Sequence, residues 1–186
     1  MHLVQLYLRG LLIASIATAS LLPIAAVAVP LNFSATLYNG TCSLSLDKST
    51  LPLGDLSLSA LTPAQLVNTK PFTLTVADCT DSDGGTLTPV VVVSGAGDSH
   101  DNRWLFRNSG SAEGVGIMVI KSDTLPTYSQ MEIKNGTALP LAVAGVTPAA
   151  QSHTFYAGVS CLSTSSCTNV TTGAVTASLM FTFAYQ

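Results

Sequence analysis

The chain has 186 residues, which is the size of a single domain and is enough to form a sizeable core. Only 9% of its residues are charged, and 7 Lys+Arg against 10 Asp+Glu give a formal net charge of −3. With no basic cluster, the chain lacks the surface that nucleic-acid binding requires, and its abundance of Ser, Thr, Gly and Val indicates a β-rich extracellular module rather than a cytosolic enzyme.

Residues 1–28 have the three parts of a secretory signal peptide. Arg9 supplies the positive charge, residues 11–22 form the apolar run, and Ala26-Val27-Ala28 is a small-residue cleavage site. The alternative is a membrane anchor, which Pro23 and the lack of a stop-transfer pattern after Ala28 both disfavour. We therefore predict an exported chain that is cleaved after Ala28.

All four cysteines follow this leader, and an even number in an exported chain predicts two disulfides. Three pairings are possible, but Cys161 and Cys167 are so close in sequence that a shared hairpin is favoured, which leaves Cys42 with Cys79. The spacing contains no C-x-x-C, and no His stands at ligand spacing from a Cys. The sequence therefore predicts neither a metal site nor another cofactor.

Short runs of alternating apolar residues recur between Gly, Pro, Asn and Asp, as expected of half-buried strands. They lie at 31–37, 42–46, 72–79, 115–120, 155–161 and 175–185, and residues 89–93 form a continuous apolar run. Residues 61–67 contain a weak helical pattern of about one turn, and 81–85 and 95–102 are predicted turns or loops. Seven or eight short strands without a long linker predict one all-β domain folded as a two-sheet sandwich.

The first and last of these segments each need a partner that covers an apolar face and pairs a backbone edge. Residues 173–186 end the chain as a strand, with an apolar face to cover and a backbone edge to pair. Residues 29–37 precede the first cysteine, and they could fold back as the first strand of the same domain or fill the open edge of another copy. The alternation alone leaves both possibilities open.

Four motifs in order behind the leader resemble those of one family. Gly173 is fourteenth from the end and is followed by alternating apolar residues and the penultimate Tyr185, similar to a C-terminal β-zipper signature. Cys42 and Cys79 flank the segment LPLGD at 51–55, and GVGI at 114–117 is similar to a mid-domain strand of that family. Over almost the whole mature length, the chain thus resembles the fimbrial subunits of the chaperone–usher pathway, and within them a minor or adaptor subunit.

The resemblance implies an incomplete immunoglobulin-like sandwich that lacks its last strand and is completed by a donor strand from a neighbouring subunit. It implies a leader at 1–28, an N-terminal donor-strand extension at 29–41 and a pilin domain at 42–186. The implied donor residues are Val29, Leu31, Phe33, Ala35 and Leu37. The implied residues of the acceptor groove are Val175, Ala177, Leu179, Phe181, Phe183 and Tyr185. The C-terminal carboxylate of Gln186 is the implied anchor for a chaperone.

The implied partners are other pilus subunits, a periplasmic chaperone and an outer-membrane usher, and the implied location, after passage through the periplasm, is a fimbrium on the bacterial surface that contributes to adhesion. The chain departs from the family at Ala35, where donor strands usually carry Gly, and in having the Cys161 and Cys167 pair. Two other functions remain open: a single-domain adhesin that itself binds a host receptor, and a freestanding sandwich completed by its own N-terminal strand.

Two further groups of residues have a functional and a structural interpretation. Asp98, His100 and Asp101 could belong to a hydrolase or metal site, but they lie in a Gly-rich loop without a nucleophile elbow or H-E-x-x-H motif. Trp104 could stack on a sugar, but packing against the core near a sheet edge is the favoured interpretation. The sequence therefore predicts no enzyme.

Overall fold

A computed structural model of the chain describes residues 40–80, 86–161, 163 and 165–186. The described residues belong to one compact unit that spans 37–186. They form nine strands and one turn of 3-10 helix at Leu58–Ala60. The strands are β1 (Thr41–Leu46), β2 (Val67–Thr80), β3 (Pro89–Ser94), β4 (Gly97–His100), β5 (Arg103–Phe106), β6 (Val115–Lys121), β7 (Thr137–Pro140), β8 (Gln151–Cys161) and β9 (Met180–Tyr185).

The strands form two antiparallel sheets. The larger sheet has the order β1-β2-β8-β6-β5-β4, and the smaller has the order β7-β3-β9. Both sheets contribute alternate apolar residues to one core, in which the rings of Phe72 and Phe155 stack with centroids 5.3 Å apart. The predicted all-β, two-sheet fold is confirmed. No helix among the described residues is long and apolar enough to cross a membrane.

Several predicted strands lie where the alternation placed them. β1, β3 and β6 begin and end within one or two residues of the predicted bounds, whereas β2 and β8 begin several residues earlier. The weak helical prediction at 61–67 is wrong, because β2 already begins at Val67 and the helical turn lies before Leu61. The predicted loop at 81–85 and the predicted signal peptide at 1–28 lie outside the described residues.

The prediction of turns or loops at 95–102 is wrong for residues 97–100, which form β4, and holds for 95–96 and for the turn at 101–102. Residues 97–106 form a β-hairpin in which His100 pairs with Arg103 across the two residues Asp101 and Asn102. Both turn residues have positive φ, 47° and 63°, as a type I′ hairpin turn requires. The strand pattern was missed because β4 reads Gly-Asp-Ser-His and lies at a sheet edge, where no alternation of apolar residues is needed.

The last strand is shorter than predicted. The ladder of β9 covers Met180–Tyr185, since its partner β3 has only six residues. Before Met180, the chain does not pair with β3 and instead hydrogen-bonds the loop between β5 and β6, with Thr176 opposite Ser109 in an isolated bridge. Residues 174–186 thus keep an extended course but have two successive partners.

Candidate functional site

A long groove runs along one side of the sandwich and encloses about 1080 Å³. One wall is the segment from Leu46 to Leu61, and the other is the segment from Val170 to Phe181. Its floor is formed by the core side chains Phe72, Ala112, Val115, Ile117, Val119, Ala157 and Val159. The groove therefore exposes the interior of the sandwich between two stretches of chain.

The backbone of residues 174–186 bonds its neighbours through even-numbered residues. Thr88 and Gln186 exchange two hydrogen bonds of 2.7 and 3.0 Å, so the even residues of β9 are the ones that bond β3. Thr176 donates to the Ser109 carbonyl at 3.0 Å, and the Ser178 amide donates to Asn108 Oδ1 at 2.6 Å. In an antiparallel strand, the amides and carbonyls of successive residues point to opposite edges. Those of the odd residues 175–183 therefore point away from β3, towards the groove.

No strand pairs with this second edge of β9 within the described part of the chain. The side chains follow the same division, because residues 175, 177, 179 and 181 are half-buried whereas 174, 176, 178, 180 and 182 are exposed. An open backbone edge and an apolar face thus lie side by side along one wall. This is the arrangement that receives an added β-strand.

Four of the six predicted acceptor residues line the groove: Val175, Ala177, Leu179 and Phe181. Phe181 also reaches the core, with its ring 5.6 Å from that of Phe155. Phe183 and Tyr185 are not among the lining residues; Phe183 packs against the core and its ring lies 5.2 Å from that of Tyr185. The groove therefore begins near Phe181 and extends towards Val170.

The start of the described chain reaches the last residue of β9. β1 contacts β9, and Gly40 approaches Tyr185 so closely that a Cβ on Gly40 would lie 1.8 Å from the Tyr185 hydroxyl oxygen. Phe183 and Tyr185 are half-buried, as Phe181 is, and Gly40 lies against Tyr185, one pair of residues beyond Phe183. The predicted donor residues Val29, Leu31, Phe33, Ala35 and Leu37 lie outside the described residues.

The opposite wall consists of residues that sequence reasoning did not assign to the groove. Leu51, Leu53 and Leu56 are half-buried, and they pack against the core clusters that form the floor. The segment is held to β2 by Lys70, whose Nζ donates to the Pro52 carbonyl at 2.7 Å. The leucines at 51 and 53, two residues apart, were the available signal, but they were interpreted only as part of a family motif.

The far end of the groove is closed by residues 170–173. Thr171 donates its amide to the Glu113 carbonyl at 3.2 Å, and its hydroxyl accepts from the Glu113 amide at 2.8 Å. Gly173 has φ of 148°, and a Cβ there would lie 2.4 Å from Ser111 Oγ. Glycine is thus required at 173 both by the backbone conformation and by the close approach of the neighbouring loop.

The structure contains two disulfides, Cys42–Cys79 and Cys161–Cys167, with Cα atoms 4.1 and 5.6 Å apart. These are the pairs that proximity in the sequence favours. The first joins β1 to β2 next to a register shift between Thr41 and Ser43. The second joins the end of β8 to the chain that leads to the far end of the groove.

Charged groups lie mainly outside the groove. Glu132 is buried and bonds Arg103 Nη1 at 2.6 Å, the Trp104 amide at 3.1 Å and Lys134 Nζ at 3.3 Å. Burial is the largest single influence on Glu132 and opposes its ionisation, but these hydrogen bonds outweigh it and hold the Glu132 pKa below its usual value. The network fastens the loop before Glu132 to β5.

The other residues with a possible functional interpretation have structural surroundings. Trp104 packs against the core, with its ring 5.9 Å from that of Phe106. His100 Nε2 lies 3.5 Å from Asp98 Oδ2; the Asp98 side chain is exposed and His100 is half-buried. Within residues 40–80, 86–161, 163 and 165–186, no three His, Cys, Asp or Glu side chains are arranged to hold a metal ion.

Known fimbrial proteins resemble this chain. The family model described as "Fimbrial protein" matches residues 31–186. The P pilus rod subunit PapA is similar in structure, with 23% identity, a TM-score of 0.49, and coverage of 78% of this chain and 99% of PapA. A Burkholderia pseudomallei antigen and type I fimbria protein has 14% identity, a TM-score of 0.46, and coverage of 80% of this chain and 99% of its own. No curated protein matches the sequence.

The match over residues 31–186 defines the class: the chain belongs to the fimbrial protein family. It is accordingly a non-enzymatic, structural subunit of a surface-displayed pilus that interacts with other pilus subunits. The resemblance drawn from the four sequence motifs is confirmed at this level.

Proposed function

We propose that this protein is a minor or adaptor subunit of a chaperone–usher fimbria and polymerises by donor-strand exchange. Residues 29–37 of one copy insert into the groove of the next and pair with the open edge of β9. Addition of a strand to an open sheet edge is a known mode of recognition, of which pilin donor-strand complementation is itself an example. The observation that carries the proposal is the backbone edge of residues 175–183, which no described strand pairs and which runs along an apolar groove from Val175 to Phe181.

The length of the edge suits the length of the proposed donor. Residues 175–183 are nine, as are residues 29–37, and nine residues of strand span about 30 Å. All pairs within the smaller sheet are antiparallel, so we place the donor antiparallel to β9. Leu37 then lies opposite Val175, and Val29 lies opposite Phe183.

This register places the odd-numbered donor residues on the apolar side. Leu31, Phe33 and Leu37 enter the groove, and each contributes about 1.5–3 kcal/mol if fully buried. Ala35 lies opposite Ala177, where two small side chains leave room for their larger neighbours. The departure from glycine at 35 is thereby accommodated within this chain's own groove.

Before assembly, the groove needs another occupant. We assign this role to a periplasmic chaperone, with the usher as the place where the donor of the next subunit replaces it. Gln186 follows β9 and is exposed, and we assign its terminal carboxylate, one oxygen of which accepts from the Thr88 amide at 2.7 Å, as the anchor for basic chaperone residues. The subunit thus passes through the periplasm to a fimbrium that contributes to adhesion.

Deletion of residues 29–39 removes the proposed donor strand and leaves the acceptor groove, so it tests the two parts separately. The truncated chain, produced with its chaperone, is expected to form a soluble complex, because its groove is intact, but to donate no strand to a second subunit. If the truncated chain is instead a stable monomer without the chaperone, its sheet is already complete and the proposal is wrong.

Two point variants provide a matched comparison within the donor. Phe33→Asp places a carboxylate on the groove side and should block polymerisation, whereas Ser34→Asp places the same charge on the opposite side and should leave polymerisation intact. Equal effects of the two variants on fibre yield, with equal export of both chains, would argue against an inserted strand.

A further inference from the structure

The disulfide Cys161–Cys167 lies next to the far end of the groove. Cys161 is the last residue of β8, is buried, and pairs with Val115 of β6. Cys167 is only six residues later, and the groove-lining segment from Val170 to Gly173 begins three residues after Cys167. The bridge therefore attaches this part of the wall to the larger sheet, immediately before the wall begins.

The other attachments of the wall are to a loop. Thr171 exchanges hydrogen bonds with Glu113, and the Ala112 amide donates to the Ala174 carbonyl at 3.0 Å. Glu113 and Ala112 belong to the connection between β5 and β6. The backbone that continues from Cys161 and the disulfide are the covalent links between the wall and β8, and the disulfide shortens the free chain before Val170 from eight residues to two.

The bridge also fixes an apolar contact at the end of the groove. Val159 and Cys161 lie two residues apart on β8, so their side chains point to the same side of the sheet. Val170 packs against the cluster of Ala112, Val115 and Val159, which forms the floor at this end. The disulfide closes a ring of seven residues, both cysteines included, and this ring limits how far Val170 can move from that floor.

We infer that the Cys161–Cys167 disulfide is a positioning device that determines how firmly the groove retains an inserted strand of a second copy. This inference rests on the proposed donor-strand function. In the antiparallel register the contact that it secures is the one between Val170 and the donor's Leu37, next to Val175. Without the bridge the wall separates more readily from the floor. The end of the donor strand at Leu37 then loses its pairing with β9 first.

The test uses the full chain as its chaperone complex and a fluorescent peptide with the sequence of residues 29–39. After exchange is complete, unlabelled peptide is added in excess, and the decay of anisotropy gives the release rate. Cys161→Ala/Cys167→Ala should release the peptide about tenfold faster than the wild type with little change in binding rate, because such effects fall mainly on dissociation. Ser163→Ala, a change within the ring that keeps the bridge, should release it at the wild-type rate.

A peptide carrying Leu37→Ala separates positioning from general loss of structure. From the wild type, this peptide should dissociate faster than the unchanged peptide. From the double variant, the two peptides should dissociate at the same rate, since the contact with Val170 is already lost there. Equal release rates of the unchanged peptide from the wild type and the folded double variant would overturn the inference and leave the proposed function intact. Failure of the wild type to bind the peptide at all would overturn both.

If the double variant does not fold, Val170→Ala provides the same test with both bridges present. It should also release the unchanged peptide faster and remove the effect of Leu37→Ala. Release at the wild-type rate from this variant would overturn the inference.

Discussion

Leu179→Asp is the substitution that most directly tests the groove. Leu179 is half-buried in the wall formed by residues 170–181, and its backbone faces the open edge. The donor strand would complete its burial, so the leucine contributes about 1 kcal/mol to binding, or roughly half the value for a fully buried side chain. A carboxylate at this position would in addition be covered without a partner, which costs about 3 kcal/mol even after relaxation.

The two effects add to about 4 kcal/mol, or about a thousandfold weaker binding of the residue 29–39 peptide. The substitution should lower the folding stability of the subunit without a donor by less than this, because the half-buried carboxylate is still partly hydrated there. Binding is measured by anisotropy on the chaperone-bound chain, and folding by the fluorescence of Trp104, the chain's one tryptophan.

Met180→Asp is the matched control, because Met180 is the next residue, is 63% exposed and lies on the other face of β9. It should bind the peptide within about threefold of the wild type, as expected of an exposed substitution. If Leu179→Asp retains the peptide as well as Met180→Asp does, the odd-numbered face is not the binding face and the proposed register is wrong.

Three further predictions concern stability. Glu132→Gln removes the charge that pairs with Arg103 and should lower the free energy of unfolding by about 1.5–3 kcal/mol in urea titrations; an unchanged midpoint would show that the pair contributes nothing. Because the Glu132 pKa is lowered by folding, its stabilisation is complete above about pH 4.5, the ordinary value, and is lost as the pH falls through the folded-state pKa. The difference between wild type and Glu132→Gln should therefore shrink below pH 4.5, and a constant difference would contradict the assignment. Gly173→Ala should destabilise by about 1–3 kcal/mol because its Cβ meets Ser111, whereas Gly54→Ala, at φ of 85° with no atom within 4 Å of the new Cβ, should cost less; equal costs would mean that the contact is relieved at no expense.

The sequence allowed the face of the last strand to be predicted but not its partners. Alternation from Val175 onward identifies which side chains point inward, because the period of a strand is fixed by its geometry. Where β9 stops pairing with β3 depends on the length of β3, and the end of the open edge depends on the approach of Gly40 to Tyr185. These are tertiary facts that no local pattern contains.

The groove wall formed by residues 46–61 could not be predicted from a local sequence pattern either. Leu51, Leu53 and Leu56 lie in a segment without strand pairing, so they lack an extended periodic pattern. They are recognised as a groove wall only when residues 170–181 are seen opposite them. The β4–β5 hairpin lacks both local signals of a hairpin: β4 has no apolar alternation, and its turn is Asp101-Asn102 rather than a glycine-containing pair.

The division of β9 into odd and even residues has a consequence for how fimbriae of this kind can diversify. Along the proposed joint, odd-numbered residues of both strands are covered, and even-numbered ones such as Met180, Thr182, Asn32 and Ser34 face water. Backbone hydrogen bonds in the joint do not depend on side-chain identity. Substitutions at even positions would therefore change the antigenic surface of the fibre without changing which subunits join, while substitutions at odd positions would change the partner and leave the surface as it was.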